Sequence, residues 1–342
     1  MLGQNLVVNG DFESYNTCPL HIVNIDKLLD DISLPTASSG DYYNECNKGE
    51  FSVPLNFKGN QAAIGGSGYT GLYFYALNDY REYLQMNTAK TLRAKHPYKI
   101  SIQVSLAESS TLAVKNMSVL LANKKIRLPN SSALTSGRLN KLENDEYYEL
   151  ALTADRSLTE SDSWITLTAE FDARGFENHI LIGNFSDNEN TRLLNNNQDV
   201  QSSDFSYYYV DNVVLEELPR VNYDEDKIYV LEQNPLEPKG YELDDEAIAS
   251  VQKIFKFLKE NAEVQMKITG HVSNLESPEY NQFISSLRAR AVALYLKKLG
   301  IDDSRLVWEG VGDTKPLRNG NVKNGKLGNG RVEFVMTKFD DQ

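Results

Sequence analysis

The sequence contains few of the features that mark several large protein classes. Only two of its 342 residues are cysteines, which excludes a disulfide-dense mini-domain and cannot by itself supply a zinc site. It has no run of about 18 apolar residues, so we expect no membrane-spanning helix. Lys and Arg number 35 against 48 Asp and Glu. The net charge of −13 argues against non-specific binding to nucleic acid or to anionic membranes.

Motifs of common enzyme classes are also missing. The sequence has no Gly-x-Ser-x-Gly elbow, no P-loop and no His-Glu-x-x-His. Paired acids such as Asp30-Asp31 and Asp244-Asp245 lie in charged or helix-capping sequence, where we expect them to be solvated. The sequence therefore predicts a protein that is not an enzyme and that requires no cofactor.

Length and charge indicate two domains. At about 150 residues per domain the chain holds about two, and 41% hydrophobic residues are enough to form cores. Residues 1–224 carry −11 of the net charge and residues 225–342 carry −2. A charged segment around Pro219 is typical of a break between domains. We therefore predict domains at 1–218 and 228–342, joined by a linker at 219–227.

The first domain is predicted to be all-β, as a jelly roll or β-sandwich. Two segments interrupt its pattern: residues 80–92 are predicted to form an amphipathic helix, and residues 186–204 a mobile polar loop. In the run at 98–104, apolar and polar residues alternate, as in a strand with one buried face. Short runs of β-branched and aromatic residues lie between turn signals at 72–75, 98–104, 164–167, 179–182 and 207–210.

The second domain has a mixed pattern. Apolar residues at three- and four-residue spacing predict one helix that begins after Asp244 and a second that runs from Ser277-Pro278 to Gly300. Strands are predicted at 264–268, 306–308 and 331–336. The predicted order is β-α-β-α-β-β, which describes a compact α+β domain.

Several segments of the second domain match the pattern of a known family. They are Ile268-Thr269-Gly270-His271, the helix segment 281–292, Tyr295-Leu296, Gly300-Ile301, Ser304-Arg305-Leu306, Gly310-Val311-Gly312, Pro316 and Asn329-Gly330-Arg331-Val332-Glu333. With this spacing, nearly all of residues 228–338 resembles the OmpA-like peptidoglycan-binding domain. The resemblance implies that the ligand is the peptide stem of peptidoglycan, held through the free end of diaminopimelate. That end is a zwitterion, so it needs a carboxylate for its ammonium and a guanidinium for its carboxylate.

The family pattern gives five candidate binding residues, and this sequence departs from it twice. The family has an Asp at the end of a strand and an Arg fifteen positions later, where this chain has Ser273 and Arg288. Its Asn-Arg-Arg-Val-Glu segment has Gly330 in place of the first arginine. A serine accepts a hydrogen bond but supplies no charge, which Glu276 could supply instead. The candidate peptidoglycan-binding residues are Arg288, Asn281, Ser273, Arg331 and His271.

Two of these candidates have a structural alternative. Arg288 could be a helix-surface arginine that pairs with a nearby acid. His271 has no partner acid or nucleophile at a recognisable spacing, so a buried or hydrogen-bonding strand residue is the favoured interpretation.

The first domain also carries a resemblance. Residues 5–13 (Asn-Leu-Val-Val-Asn-Gly-Asp-Phe-Glu) resemble the opening strand of galactose-binding-like, carbohydrate-binding jelly rolls, and residues 209–215 resemble their closing strand. In that fold the first and last strands lie together. Segments at 80–85, 104–107 and 182–185 resemble Bacteroidota cell-envelope proteins, which pair such a jelly roll with an OmpA-like domain.

This second resemblance has implications for the pairing of the two cysteines and for the cellular location of the protein. Spacing alone leaves open whether Cys18 and Cys46 are free thiols or a disulfide. The resemblance implies a disulfide. It also implies a periplasmic protein associated with the outer membrane, secreted by a signal peptide that is absent from this numbering.

The first domain has candidate residues for two small ligands. A structural calcium often lies between the first and last strands of such jelly rolls, and Asp11, Glu13 and Asp211 could supply its oxygen ligands. The alternative is that these acids are solvated or cap backbone amides. Sugar binding would need exposed aromatic rings, although strand tyrosines more often pack in cores. The candidate tyrosines are Tyr42, Tyr43, Tyr69, Tyr73, Tyr75, Tyr207 and Tyr208.

These expectations describe a non-enzymatic periplasmic protein that links an outer-membrane complex to peptidoglycan. The expected partner is an outer-membrane barrel or lipoprotein complex of the barrel-assembly, type IX secretion or SusC type. We expect the acidic first domain to bind it. One alternative is a structural subunit whose OmpA-like domain no longer binds peptidoglycan, because Ser273 replaces the family's Asp. A second alternative is a glycan-binding protein that acts through the jelly roll.

Overall fold

The computed structural model describes residues 4–142, 146–194, 204–220, 222–231, 240–273, 276–316 and 330–338. The chain divides into two compact units, Met1–Pro219 and Arg220–Gln342.

The first unit is mostly β. One sheet has the strand order β1-β6-β13-β9-β10 and a second has the order β11-β12-β7-β15-β5-β2, and all neighbouring strands in both are antiparallel. Short pairs join β14 to β8 and β3 to β4. A short helix α1 spans Ser136–Leu139. The strands are β1 Ile32–Ser33, β2 Asp41–Asn44, β3 Leu55–Asn56, β4 Gly59–Asn60, β5 Gly68–Tyr75, β6 Leu84–Asn87, β7 Pro97–Leu106, β8 Ala113–Val114, β9 Ser118–Ala122, β10 Tyr147–Ala151, β11 Thr153–Ala154, β12 Ile165–Asp172, β13 His179–Gly183, β14 Leu193–Leu194 and β15 Ser206–Glu217.

The two main sheets share one hydrophobic core. Strand β7 shows why: Ile100, Ile102 and Val104 are fully buried while the residues between them are half-buried. They join buried residues of the other sheet, such as Leu84 and Ile180, in one cluster. Side-chain alternation therefore places one face of each sheet against the other.

The helix predicted at residues 80–92 is wrong, because the segment contains strand β6 instead. Leu84 and Met86 lie in the core between the sheets, while Tyr83 packs in a second cluster with Leu120 and Leu181. The apolar-polar alternation of this strand spans only four residues, and Tyr80, Tyr83 and Leu84 have the three- and four-residue spacing of a helix.

The loop predicted at residues 186–204 is partly structured. Arg81, which is fully buried, donates to the Ser186 carbonyl at 3.1 Å, to Asn188 Oδ1 at 2.8 Å and to Thr191 Oγ1 at 3.2 Å. Strand β14 follows these residues and pairs with β8. The remainder of the predicted loop, 195–203, lies outside the described residues.

The opening segment lies beside the last strand of the first unit, as the jelly-roll resemblance implies. The Leu6 amide donates to the Leu215 carbonyl at 2.8 Å. The Asn5 side chain donates to the Val213 carbonyl and accepts from the Leu215 amide, both at 3.0 Å. Only a single bridge, from Val7 to Thr88, has strand geometry, so the predicted opening strand is not continuous.

The second unit is α+β and follows the predicted order. Its four-stranded sheet has the order β16-β19-β17-β18, in which β17 and β18 are parallel and the other pairs are antiparallel. Helix α2 begins at an N-cap, Asp244, whose side chain accepts from the Ala247 amide. The elements are β16 Ile228–Val230, α2 Asp245–Glu260, β17 Val264–Gly270, α3 Pro278–Leu299, β18 Leu306–Gly310 and β19 Val332–Lys338.

Part of the predicted linker belongs to the second unit. Tyr223 packs edge-on against Tyr229, Phe257 and Phe334, with ring centroids 4.9 to 5.1 Å apart. Glu225 forms a bridge with Met336. Because aromatic packing of this kind holds the segment against the sheet, the second unit begins earlier than residue 228. Val221 lies outside the described residues.

Candidate ligand-binding site

The candidate site lies at the carboxyl edge of the two parallel strands of the second unit. Helix α3 crosses this edge closely because its neighbours are glycines: a Cβ on Gly270 would lie 1.9 Å from the Ser285 carbonyl oxygen, and one on Gly310 would lie 2.2 Å from the Ser286 amide. The Ser285 hydroxyl also accepts from the Gly312 amide at 2.9 Å. The helix is thus fixed against the loops that follow both strands.

The sequence sets where helix α3 begins. Ser277 is the N-cap, and its hydroxyl accepts from the Tyr280 amide at 3.3 Å. Pro278 occupies the first turn, where its missing amide proton costs no helical hydrogen bond. This start places Asn281 and Arg288 on the buried side of the helix, two turns apart.

Arg288 is turned into the domain. Its side chain is 2% exposed, with Nε donating to the Gly240 carbonyl and Nη1 to the His271 carbonyl, both at 2.9 Å. Burial lowers the pKa of the guanidinium, because it disfavours the charged form. Arg288 is therefore not the helix-surface arginine of the alternative interpretation.

His271 lies directly after β17 and is 1% exposed. Its amide donates to the Arg331 carbonyl at 2.9 Å. The ring Nε2 is 3.1 Å from a carboxylate oxygen of Glu333, yet neither ring nitrogen has a well-aligned hydrogen bond within the described part of the chain. Burial, followed by the nearby charge of Arg331, lowers the pKa of the imidazole. The structure thus places His271 as a buried residue beside the site.

Arg331 and Glu333 form the neighbouring ion pair. Arg331 is 4% exposed, and its Nε donates to Glu333 Oε1 at 2.7 Å. Its Nη2 donates to the Lys315 carbonyl at 3.2 Å, which ties the start of β19 to the loop after β18. Arg331 therefore has a structural role in addition to any contact with ligand.

The remaining candidates differ in exposure. Asn281 is buried, and its Oδ1 accepts from the Glu276 amide at 3.3 Å, which orders the chain before α3. Ser273 and Glu276 are both exposed. Residues 274 and 275 between them, and Asn329 of the family segment, lie outside the described residues.

The structure brings Arg288, His271 and Arg331 together. The Arg288 guanidinium donates to the His271 carbonyl, and the His271 amide donates to the Arg331 carbonyl. Sequence reasoning missed two participants, because Gly240 acts through its carbonyl and Gly330 through the absence of a side chain. A Cβ on Gly330 would lie 2.9 Å from Arg288 Nη1. The departure of Gly330 from the family pattern was the signal that could have identified this contact.

The proposed calcium ligands of the first unit have protein partners. Glu13 accepts from the Ser67 and Gly68 amides at 2.8 and 2.9 Å, and Asp211 accepts from the Ile64 amide at 3.1 Å. Burial raises the pKa of Asp211 to about 7. Within the described residues, no three His, Cys, Asp or Glu side chains are grouped so that they could hold a metal ion. The arrangement therefore favours the alternative in which these acids bond backbone amides.

The tyrosines named for sugar binding mostly pack in the core. Tyr73 is half-buried, and the other six are buried. Tyr43, Tyr69, Tyr207 and Tyr209 pack against one another in a single aromatic cluster. These rings are covered and do not offer a stacking surface to a sugar.

A disulfide joins Cys18 and Cys46, which are 28 residues apart. None of the described helices is both long and apolar enough to cross a membrane.

Comparison with known proteins places the second unit in a family. Residues 237–329 match the profile of the OmpA family. Outer membrane protein A of Bordetella avium is 27% identical over 117 residues, which are 34% of this chain and 57% of that protein. Peptidoglycan-associated lipoprotein of Buchnera aphidicola is 24% identical over 96 residues, which are 28% of this chain and 56% of that protein. The chain thus spans little more than half the length of these relatives.

Among solved structures, the peptidoglycan-associated lipoprotein from Burkholderia pseudomallei is 25% identical, with 30% of this chain and 86% of that chain covered. The TM-score of this comparison is 0.28. The profile match covers α2, β17, α3 and β18, includes Arg288, and ends before Arg331. The chain therefore carries an OmpA-family domain in its C-terminal part, and its relatives are proteins of the OmpA and peptidoglycan-associated lipoprotein type.

Proposed function

We propose that the chain is a non-enzymatic periplasmic protein whose C-terminal domain binds the peptide stem of peptidoglycan. The observation that supports this most is the position of Arg288. It occupies the helix position of the family's ligand arginine, at the edge where the loops after β17 and β18 meet. The names of the matched relatives, an outer membrane protein and a peptidoglycan-associated lipoprotein, agree with this role.

The ligand chemistry follows from the side chains. The guanidinium of Arg288 would pair with the carboxylate of diaminopimelate, for which its planar shape is suited. Ser273, exposed three residues after the end of β17, would accept from the ammonium group. Replacing a charge-assisted hydrogen bond by a neutral one costs about 1–2 kcal/mol, or about tenfold in affinity. We therefore expect binding weaker than that of a domain with Asp at this position.

The acidic first unit would provide the link to the outer membrane. We propose that it is a jelly roll of the kind found in Bacteroidota envelope proteins. It would dock on an outer-membrane barrel or lipoprotein complex of the barrel-assembly, type IX secretion or SusC type. The contact between the opening segment and β15 supports the jelly-roll proposal.

One observation favours a second candidate function. Because Arg288 is 2% exposed and bonded to two carbonyls, its family role could have been replaced by a structural one. The protein would then be a structural subunit of an outer-membrane machine and would not bind peptidoglycan. Glycan binding through the first unit gains no support from the buried tyrosines.

Co-sedimentation of the full chain with purified diaminopimelate-type peptidoglycan separates these functions. We expect the native chain to sediment weakly, Arg288→Ala to remain in solution, and Ser273→Asp to sediment more strongly. Arg290→Ala is the matched control, because Arg290 has the same charge on the same helix but is exposed. If the native and Ser273→Asp chains both stay in solution, the proposed function is wrong and the structural candidate is favoured.

A further inference from the structure

The backbone at residue 330 lies against the guanidinium of Arg288. Gly330 directly precedes Arg331, and a Cβ built on it would lie 2.9 Å from Arg288 Nη1. Contacts this close force one of the two groups to move, and here the mobile group is the end of a long side chain. A side chain at residue 330 would therefore press directly on the inward-facing guanidinium.

The inward position uses two of the five N–H donors of the guanidinium, including the single proton of Nε. Nε carries a single proton, which is donated to the Gly240 carbonyl. A carboxylate that pairs with Nε and its neighbouring Nη group must therefore displace this carbonyl. Nη1 donates to the His271 carbonyl as well. Ligand binding and the two internal hydrogen bonds compete for one guanidinium.

We propose that residue 330 controls the position of Arg288. Glycine at residue 330 lets the guanidinium withdraw and bond to Gly240 and His271, whereas any larger side chain displaces it outward. The ligand is then bound only by the fraction of molecules in which Arg288 is displaced, which lowers the apparent affinity by that fraction. Gly330 is therefore a positioning residue, and this effect on affinity rests on the peptidoglycan-binding function proposed above.

Labelling with phenylglyoxal, which modifies accessible guanidinium groups, tests the position without any ligand. The full native chain and Gly330→Ala are treated in parallel, and modification is located by mass spectrometry after cleavage at acidic residues. In the native chain we expect Arg288 to react far more slowly than the exposed Arg290. In Gly330→Ala we expect the Arg288 rate to rise at least about fivefold, with Arg290 unchanged.

Internal controls distinguish a local shift from unfolding. Arg331 is 4% exposed and bonded to Glu333, so it should stay protected in a folded Gly330→Ala chain. If Arg331 is also labelled, the Gly330→Ala chain has unfolded. The proposal is then tested by comparing the Arg288 labelling rate in Gly330→Ser with that in the native chain. The proposal is overturned if Arg288 reacts as fast as Arg290 in the native chain, or if a folded substituted chain leaves Arg288 protected.

Titration with meso-diaminopimelate then tests the effect on binding. We expect Gly330→Ala to bind at least about threefold more tightly than the native chain, and Arg288→Ala in the same background to remove the gain. A folded Gly330→Ala chain that binds no better than the native chain contradicts the competition. If labelling behaves as expected but no variant binds ligand, the peptidoglycan-binding function fails while the control of Arg288 by residue 330 stands.

Discussion

Arg288 Nη1 donates a hydrogen bond of 2.9 Å to the backbone carbonyl of His271, which joins helix α3 to the loop that follows β17. The same guanidinium reaches the Gly240 carbonyl through Nε. Three segments that are distant in sequence are therefore held by one charged group. A side chain in this position has structural consequences whether or not a ligand is bound.

Removing this side chain should destabilise the second unit. In Arg288→Ala two carbonyls lose donors, and hydrogen bonds to charged groups contribute about 1.5–3 kcal/mol each, so we expect a loss of about 3 kcal/mol. Urea unfolding followed by Trp308 fluorescence in a Trp164→Phe background reports on this unit alone. Arg290→Ala should stay within about 0.5 kcal/mol of the parent chain. Equal stability of the two variants would contradict the structural role.

The packing of α3 on the sheet gives a second prediction. In Gly270→Ala the new Cβ would lie 1.9 Å from the Ser285 carbonyl oxygen, a backbone atom that cannot rotate away. Overpacking of this kind costs about 3 kcal/mol, measurable by the same urea experiment. Arg290→Ala again serves as the control, because Arg290 is exposed on the same helix. Native-like stability of Gly270→Ala would mean that the helix and strand are further apart than described.

The disulfide between Cys18 and Cys46 should stabilise the first unit only. It closes a loop of 28 residues, for which chain entropy gives about 3–4 kcal/mol. A reducing agent should therefore lower the unfolding midpoint reported by Trp164 in a Trp308→Phe chain. The matched double variant, Cys18→Ser with Cys46→Ser, should not respond to the reductant. An unchanged midpoint in the parent chain would show that the bridge adds nothing to stability.

The stability of the first unit should depend on pH through Asp211. Burial raises its pKa to about 7, with smaller contributions from Glu13 and Asp11. Between about pH 4 and pH 7 the folded chain keeps a proton that the unfolded chain releases, so this group makes the free energy of unfolding fall as pH rises. Asp211→Asn removes that dependence. The free energy of unfolding of the variant minus that of the native chain should be larger at pH 7 than at pH 4.5. A difference that does not change with pH would refute the assignment.

The sequence predicted much of the second unit because its signals are local. Asp244 and Ser277 are N-caps with a side-chain bond to the first turn, and Gly300 ends α3 with a left-handed backbone. The segment around Leu84 was predicted wrongly, because its strand alternation spans only four residues and Tyr80, Tyr83 and Leu84 have the spacing of a helix. Its identity as a strand depends on neighbours that are distant in sequence.

The candidate site was predicted in composition but not in orientation. The spacing of Arg288 in the family pattern identified the residue, yet the pattern carries no information on where the guanidinium points. That direction depends on the Gly240 carbonyl and on the missing side chain at Gly330. A sequence pattern does not show which backbone carbonyl accepts a hydrogen bond or where a missing side chain leaves space for another.

The measurement that tests the central claim most directly is an amide NMR titration of the isotope-labelled full chain with meso-diaminopimelate. We expect shifts confined to the second unit, at Ser273, at Gly330 and in the first turns of α3, and no shifts in Arg288→Ala. Shifts that persist in Arg288→Ala, that fall in the first unit, or that are absent from the native chain would contradict a peptidoglycan site at this edge of the sheet.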